Sequence, residues 1–167
     1  LLDRAPPGLL VVLDEAYGEY AGDPDYGSGL DFIHKDRPVV SLRTFSKIYG
    51  LAGLRIGYAI APEGIAADLN RIREPFNVNS LAQAAALAAL KDEQHLRASL
   101  HMVREGKEQL ARGLAELGLE PVPSQANFYF VDVRADSRIV FERLLQRGVI
   151  IRSGDIFGYS TFIRVTV

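Results

Sequence analysis

Lys47 lies in the stretch RTFSKIYGLAGLRIGY, residues 43–58, with Ser46 and Thr44 just before it and Gly50, Gly53 and Arg55 just after. A surface lysine needs no such neighbours. At the end of a strand, a poorly solvated lysine loses part of its preference for the protonated form. Its amine can then act as a nucleophile and form an imine with an aldehyde. The plainer reading is a solvated lysine at a loop tip. Ser46 and Thr44 offer hydroxyls, and Arg55 offers a fork of donors suited to a phosphate dianion. Gly50 and Gly53 permit the turn that folds Arg55 back toward them. Otherwise GLAGLRIG is an ordinary turn into a strand. It contains neither the dinucleotide fingerprint G-x-G-x-x-G nor the phosphate loop G-x-x-x-x-G-K-[ST].

Asp14 directly follows the apolar run LLVVL and so falls at the end of a strand, where open α/β sheets place ligands. A partly desolvated carboxylate there looks for a cation, or else it stabilises the following turn. Tyr17 comes three residues later and is either a packed aromatic or a hydroxyl donor to a ligand. One molecule answers all these groups. Pyridoxal 5'-phosphate has an aldehyde for Lys47, a phosphate for Ser46 and Arg55, and a ring nitrogen that Asp14 would keep protonated. Its phenolic oxygen would face Tyr17.

These residues need strands to carry them. GLLVVLDEAY (8–17) reads as a fully buried strand of a parallel sheet. RPVVSLRTF and LRIGYAIA read as two more strands, with GEYAGDPDYGSGLDF a loop between the first two. PEGIAADLNRIR predicts a short helix, and Asn79 or Ser80 can cap the alanine-rich LAQAAALAAL. Asp92 can cap a longer helix whose apolar stripe is Leu96, Leu100, Val103, Leu110, Leu114 and Leu117, with Gly118 at its left-handed end. EPVPSQA reads as a connector. NFYFVDV, VIIRSG and FIRVTV read as strands around the helix SRIVFERLLQRG. The expected division is residues 1–78 as part of a large domain, 79–118 as linking helices and 119–167 as a small α+β domain. Because the chain opens close to one strand-like run and stops inside another, it is expected to be a piece of a longer protein.

The chain has 167 residues and a formal net charge of -2, so it lacks the basic footprint of a nucleic-acid binder. No apolar run approaches the roughly 20 residues that span a bilayer. There is no cysteine, which is compatible with a cytoplasmic location, and the three histidines are scattered, so no metal is expected.

LDEAYGEY and RTFSKIYGLAGLRIGY resemble the fold-type I pyridoxal-phosphate aminotransferases, most closely the histidinol-phosphate aminotransferases. PFNVNSLAQAAALAAL, SQANFYFVDV and GVIIRSG with FIRVTV resemble the later parts of the same family. The resemblance implies an α/β fold: part of the large-domain sheet plus a small C-terminal α+β domain. It implies Lys47 as the cofactor-bearing lysine, Asp14 on the pyridine nitrogen and Tyr17 on the phenolic oxygen. Ser46 and Arg55, with help from Thr44, would bind the phosphate. It makes Arg164 the binder of the substrate α-carboxylate or phosphate, where alternation alone makes it the polar face of a strand. Arg152 is either a second anion binder or a surface residue. The implied activity is amino transfer between L-histidinol phosphate and 2-oxoglutarate in a cytoplasmic homodimer. The alternatives are an aromatic amino-acid aminotransferase, a phosphothreonine-type decarboxylase or a non-catalytic fragment of the fold. The family's N-terminal half, with its own cofactor contacts, has no counterpart here, so these residues alone are expected to be weakly active at best.

Overall fold

The computed structural model describes residues 2–33 and 37–167; His34 lies outside the described residues. The chain divides into two compact units, Leu1–Arg97 and Ala98–Val167.

The first unit is built on a three-stranded sheet of β1 (Val11–Asp14), β2 (Val39–Thr44) and β3 (Gly57–Ile60), in that order. Valine-rich segments suit a pleated, partly covered surface. β1 runs parallel to β2 with Asp14 level with Leu42, and β3 runs antiparallel with Thr44 opposite Gly57. Two expectations are therefore corrected. The sheet is mixed, because a short turn and the 3-10 helix Ala52–Leu54 join β2 to β3, and such a link reverses the chain rather than crossing over. β1 is not fully buried: Val12 is 53% exposed, since β1 pairs on one side only. An apolar run does not reveal how many neighbours its strand has.

The predicted loop after β1 holds the 3-10 helix Gly18–Tyr20 and the helix α1 (Gly29–Ile33). Helices α2 (Glu63–Ile72) and α3 (Ser80–Ala89) follow β3. Asn79 caps α3, its side chain accepting from the Ala82 amide at 2.8 Å, and Ala82 and Ala86 are buried. Helix α4 (Glu93–Glu116) begins where Asp92 accepts from the His95 amide at 2.9 Å. Val103 and Leu114 of the predicted stripe are buried, but Leu117 is exposed because the helix has already ended. There Gly118 takes φ +69°, and the Leu119 amide returns to the Leu114 carbonyl at 2.9 Å.

The second unit carries an antiparallel sheet in the order β4 (Pro121–Val122), β5 (Phe128–Asp132), β7 (Phe162–Thr166), β6 (Arg152–Ser153). Helix α5 (Ser137–Leu145) is capped by Asp136. Leu114, Val131, Ile151 and Ile163 form the core, with Leu110, Phe141 and Leu144 packed against it. Alternation places Phe128, Phe130 and Arg164 on the other face of the sheet. The expected connector EPVPSQA contains β4. The rest of it is held by Lys107, whose Nζ donates to the carbonyls of Ser124 at 2.5 Å and Ala126 at 2.9 Å. Burial lowers the pKa of Lys107.

Candidate active site

Three chain segments reach one end of the first sheet. Parallel pairing puts the C-terminal ends of β1 and β2 side by side, and the antiparallel β3 starts at that same end. Asp14 is the last residue of β1. Ser46 and Lys47 follow the end of β2, and Arg55 precedes β3 by two residues. Topology thus gathers residues that lie up to 41 positions apart, as Asp14 and Arg55 do.

Local hydrogen bonds shape each turn. The Ala16 amide donates to Asp14 Oδ1 at 3.1 Å and turns the chain so that Tyr17 follows closely. The Ser46 amide donates to Thr44 Oγ1 at 3.0 Å, the Gly50 amide to the Lys47 carbonyl at 3.0 Å and the Leu51 amide to the Phe45 carbonyl at 2.9 Å. Phe45 and Ile48 are buried on either side, so the turn is anchored while Lys47 points to solvent. Lys47 Nζ lies 5.0 Å from the centroid of the Tyr17 ring. Arg55 is left-handed, with φ +53°, and its Nη1 donates to the Ala52 carbonyl at 2.7 Å.

Asp14 and Lys47 are exposed, which corrects the expectation of poorly solvated groups. Both leave their strands at the open end of the sheet. The donor set nevertheless fits pyridoxal phosphate: an amine stands beside a phenol, a carboxylate ends the adjacent strand, and two hydroxyl residues and a guanidinium occupy the neighbouring turns. Among the described residues no group of three or more metal-ligand side chains is placed to hold an ion, and no helix is long and apolar enough to cross a membrane.

In the second unit, Arg152 and Arg164 are register partners on β6 and β7. The Arg164 guanidinium lies 4.9 Å from the Phe128 ring centroid, and its Nε is buried without a hydrogen-bond partner among the described residues.

Sequence reasoning passed over three neighbours of the site. His95 Nε2 lies 3.0 Å from the carbonyl oxygen of Ile48, the residue after Lys47. Glu15 is buried, and Arg43 Nη2 meets it at 3.3 Å while Nη1 meets Glu19 at 3.3 Å. Burial opposes the charge of Glu15, but hydrogen bonds from Ser41, Tyr26 and the Gly29 amide, together with the Arg43 charge, outweigh it and hold the pKa below the ordinary value. The signal was present in the sequence. Asp14 and Glu15 are adjacent at a strand end, so the pleat sends them to opposite faces and one must find a cation inside the protein.

Residues 1–167 match the family described as aminotransferase class I and II, and the chain belongs to that family. More particularly, it is 58% identical to a histidinol-phosphate aminotransferase of Moorella thermoacetica, over 99% of this chain and 43% of the relative. It is 53% identical to histidinol-phosphate aminotransferase 2 of Carboxydothermus hydrogenoformans, over 99% of this chain and 46% of the relative. The chain therefore spans less than half the length of these curated relatives. Among solved structures it superposes with TM-score 0.85 on the histidinol-phosphate aminotransferase of Sinorhizobium meliloti in complex with pyridoxal-5'-phosphate. The two are 36% identical, over 95% of this chain and 44% of that one. It also superposes with TM-score 0.81 on the L-threonine-O-3-phosphate decarboxylase of Porphyromonas gingivalis, at 25% identity, over 93% of this chain and 49% of that one. The mixed α/β architecture is part of the fold-type I aminotransferase fold.

Proposed function

We propose that this chain is the part of a pyridoxal-phosphate-dependent aminotransferase that carries its catalytic lysine, and that the whole protein moves the amino group between L-histidinol phosphate and 2-oxoglutarate. The reading is carried by one observation: Asp14, Tyr17, Ser46, Lys47 and Arg55 reach the same end of one sheet, with the Lys47 amine 5.0 Å from the Tyr17 ring. The similarity to histidinol-phosphate aminotransferases over nearly the whole chain supports the choice of substrate.

Pyridoxal phosphate, when bound, supplies an electron-withdrawing ring. Lys47 would hold it, with Asp14 toward its ring nitrogen and Tyr17 toward its phenolic oxygen, while Ser46, Arg55 and Thr44 would bind its phosphate. Once displaced by the amino donor, Lys47 Nζ would act within each half-reaction first as general base and then as general acid. It would take the proton from Cα of the donor in the first and deliver one to the α-carbon derived from the oxo acid in the second, so that it ends each as the neutral amine. The aromatic face of Tyr17 would stabilise the transient ammonium form of Lys47 within each transfer. Arg164, aided by Arg152, binds the phosphate of histidinol phosphate or the carboxylate of the oxo acid. Within the longer chain, residues 1–78 belong to the large domain, 79–118 link, and 119–167 begin the small domain. The whole enzyme is a cytoplasmic homodimer.

The test is a visible spectrum of the full-length protein with pyridoxal phosphate, before and after borohydride, followed by peptide mass analysis. The expected result is a visible band and a borohydride-stable adduct on Lys47, together with glutamate formed from 2-oxoglutarate only when L-histidinol phosphate is present. An adduct on another lysine sinks the site assignment. Carbon dioxide release from phosphothreonine, without amino transfer, sinks the substrate assignment in favour of a decarboxylase.

A further inference from the structure

Glu15, next to Asp14, is held by several groups at once. Its amide donates to the Leu42 carbonyl at 2.9 Å, which extends the β1–β2 pairing by one residue. Oε1 accepts from Tyr26 Oη at 2.5 Å and from the Gly29 amide at 3.1 Å. Oε2 accepts from Ser41 Oγ and, at 3.3 Å, from Arg43 Nη2. Arg43 Nη2 also donates to Ser28 Oγ at 3.0 Å, while Nη1 donates to Glu19 at 3.3 Å. The seat is closely fitted: a Cβ at Gly29 would lie 3.0 Å from Glu15 Oε2 and 2.9 Å from Ser41 Cβ.

One relationship within this network points to function. In sequence Tyr17 is flanked two residues on either side by Glu15 and Glu19, and a single guanidinium grips both carboxylates. That guanidinium belongs to Arg43, four residues before Lys47 on the strand that leads to it. The two sides of the Tyr17–Lys47 contact are therefore referred to one charge. Stability alone does not require this, since a buried ion pair is often matched or bettered by apolar residues of similar volume. The network also leaves Glu19 Oε2 buried without a hydrogen-bond partner among the described residues, so it is not arranged for maximal stability.

We propose that Glu15 and Arg43 are a positioning pair: they hold Tyr17 over the Lys47 amine by fixing the turn after β1 to β2, and cofactor binding depends on that placement. The cofactor part rests on the pyridoxal-phosphate reading above. The experiment uses the full-length protein and the near-isosteric Glu15→Gln, which removes the charge that Arg43 grips. Two quantities are read. In cofactor-free protein, the rate at which an acylating reagent labels Lys47 is followed by peptide mass analysis. In loaded protein, the dissociation constant of pyridoxal phosphate and the pH midpoint of the visible band are measured. Labelling is expected to accelerate severalfold as Tyr17 leaves the amine. Binding is expected to weaken by about tenfold as the cofactor's partners lose alignment, and the midpoint to move. If Glu15→Gln fails to fold, Tyr26→Phe carries the test. Tyr26 is 40% exposed, so the variant loses one hydrogen bond to Glu15 and is expected to shift the same quantities less, in the same direction. A wild-type band with labelling, affinity and midpoint unmoved in the folded variants overturns the positioning pair. Absence of a wild-type band, with labelling still responsive to Glu15→Gln, overturns the cofactor reading and leaves the pair standing.

Discussion

Arg152 and Arg164 stand directly opposite each other across β6 and β7, and Arg164 is also opposite Phe130 on β5. Like charges facing one another across strands repel by roughly 0.2–1 kcal/mol unless an anion lies between them. Removing the exposed partner by Arg152→Ala is therefore expected to raise the melting temperature slightly in anion-free buffer, and to abolish part of the stabilisation by added inorganic phosphate. Thermal unfolding with and without phosphate checks this. A melting temperature that falls in both buffers would show that Arg152 stabilises the sheet by itself.

Under the proposed function, the same pair binds the anionic substrate of the full-length protein. Arg164→Lys keeps the charge but loses the planar fork. The expected result is a KM for the anionic substrate raised by about 10- to 100-fold, with a smaller change in kcat. Steady-state kinetics decide between this and a purely structural arginine, which would affect protein yield rather than KM.

Lys47→Ala in the full-length protein is expected to abolish the borohydride-stable mass increase. It should also lower turnover by a factor of at least about 10² to 10⁴, the range for loss of a general acid–base group. In cofactor-free protein its melting temperature should stay near wild type, because Lys47 is exposed while the neighbouring Phe45 and Ile48 hold the turn.

Stability of the second unit depends on its core. Ile163 is 5% exposed at the centre of the β5–β7–β6 sheet, so Ile163→Ala is expected to cost about 2–5 kcal/mol. Thr166, exposed at the end of the same strand, should tolerate alanine within about 0.5 kcal/mol. Denaturant midpoints of the two variants provide the comparison.

The network around Glu15 also sets a pH response. Burial first, then the hydrogen bond to Glu15 and its charge, push the Tyr26 pKa up from 10.0 to about 12. The native state thus retains a proton that the unfolded chain releases, so this contribution to stability is complete below pH 10 and lost between 10 and 12. Glu15 works in the opposite sense. Its folded pKa is depressed, so its contribution is complete above its ordinary 4.5 and lost as pH falls below that. Tyr26→Phe should flatten the alkaline limb of a melting-temperature profile and only weaken the acid limb, because Glu15 loses one of the hydrogen bonds that depress its pKa and keeps those from Ser41 and the Gly29 amide. An alkaline limb of unchanged slope would place its origin in another group.

Local chemistry explains what could be read in advance. Asn79 and Asp92 are helix caps because a short polar side chain before an apolar period can accept an amide hydrogen bond, and both do so. Lys47, Asp14, Tyr17, Ser46 and Arg55 could be picked out as candidates from side-chain chemistry at strand ends, and the fold brings their turns to one end of the sheet. Long-range geometry was not legible. GYAI alternates equally well in either direction, so nothing in it says that β3 opposes β2. Glu15 and Arg43 are 28 positions apart, and although the strand end sends Glu15 inward, nothing in the sequence names Arg43 as its cation. Only the pairing of β1 with β2 turns them into one buried group.

Arg55 holds a left-handed backbone, φ +53°, that β-carbon-bearing residues adopt at a cost and glycine adopts freely. Any selection acting on folding alone should drive this position to glycine or asparagine, while selection for amino transfer should hold it at arginine. A library randomised at residue 55 and sorted separately for soluble expression and for growth dependent on the enzyme would split along that line. Its two winners would give, in a single codon, the trade between a relaxed turn and one that keeps the guanidinium proposed to bind phosphate.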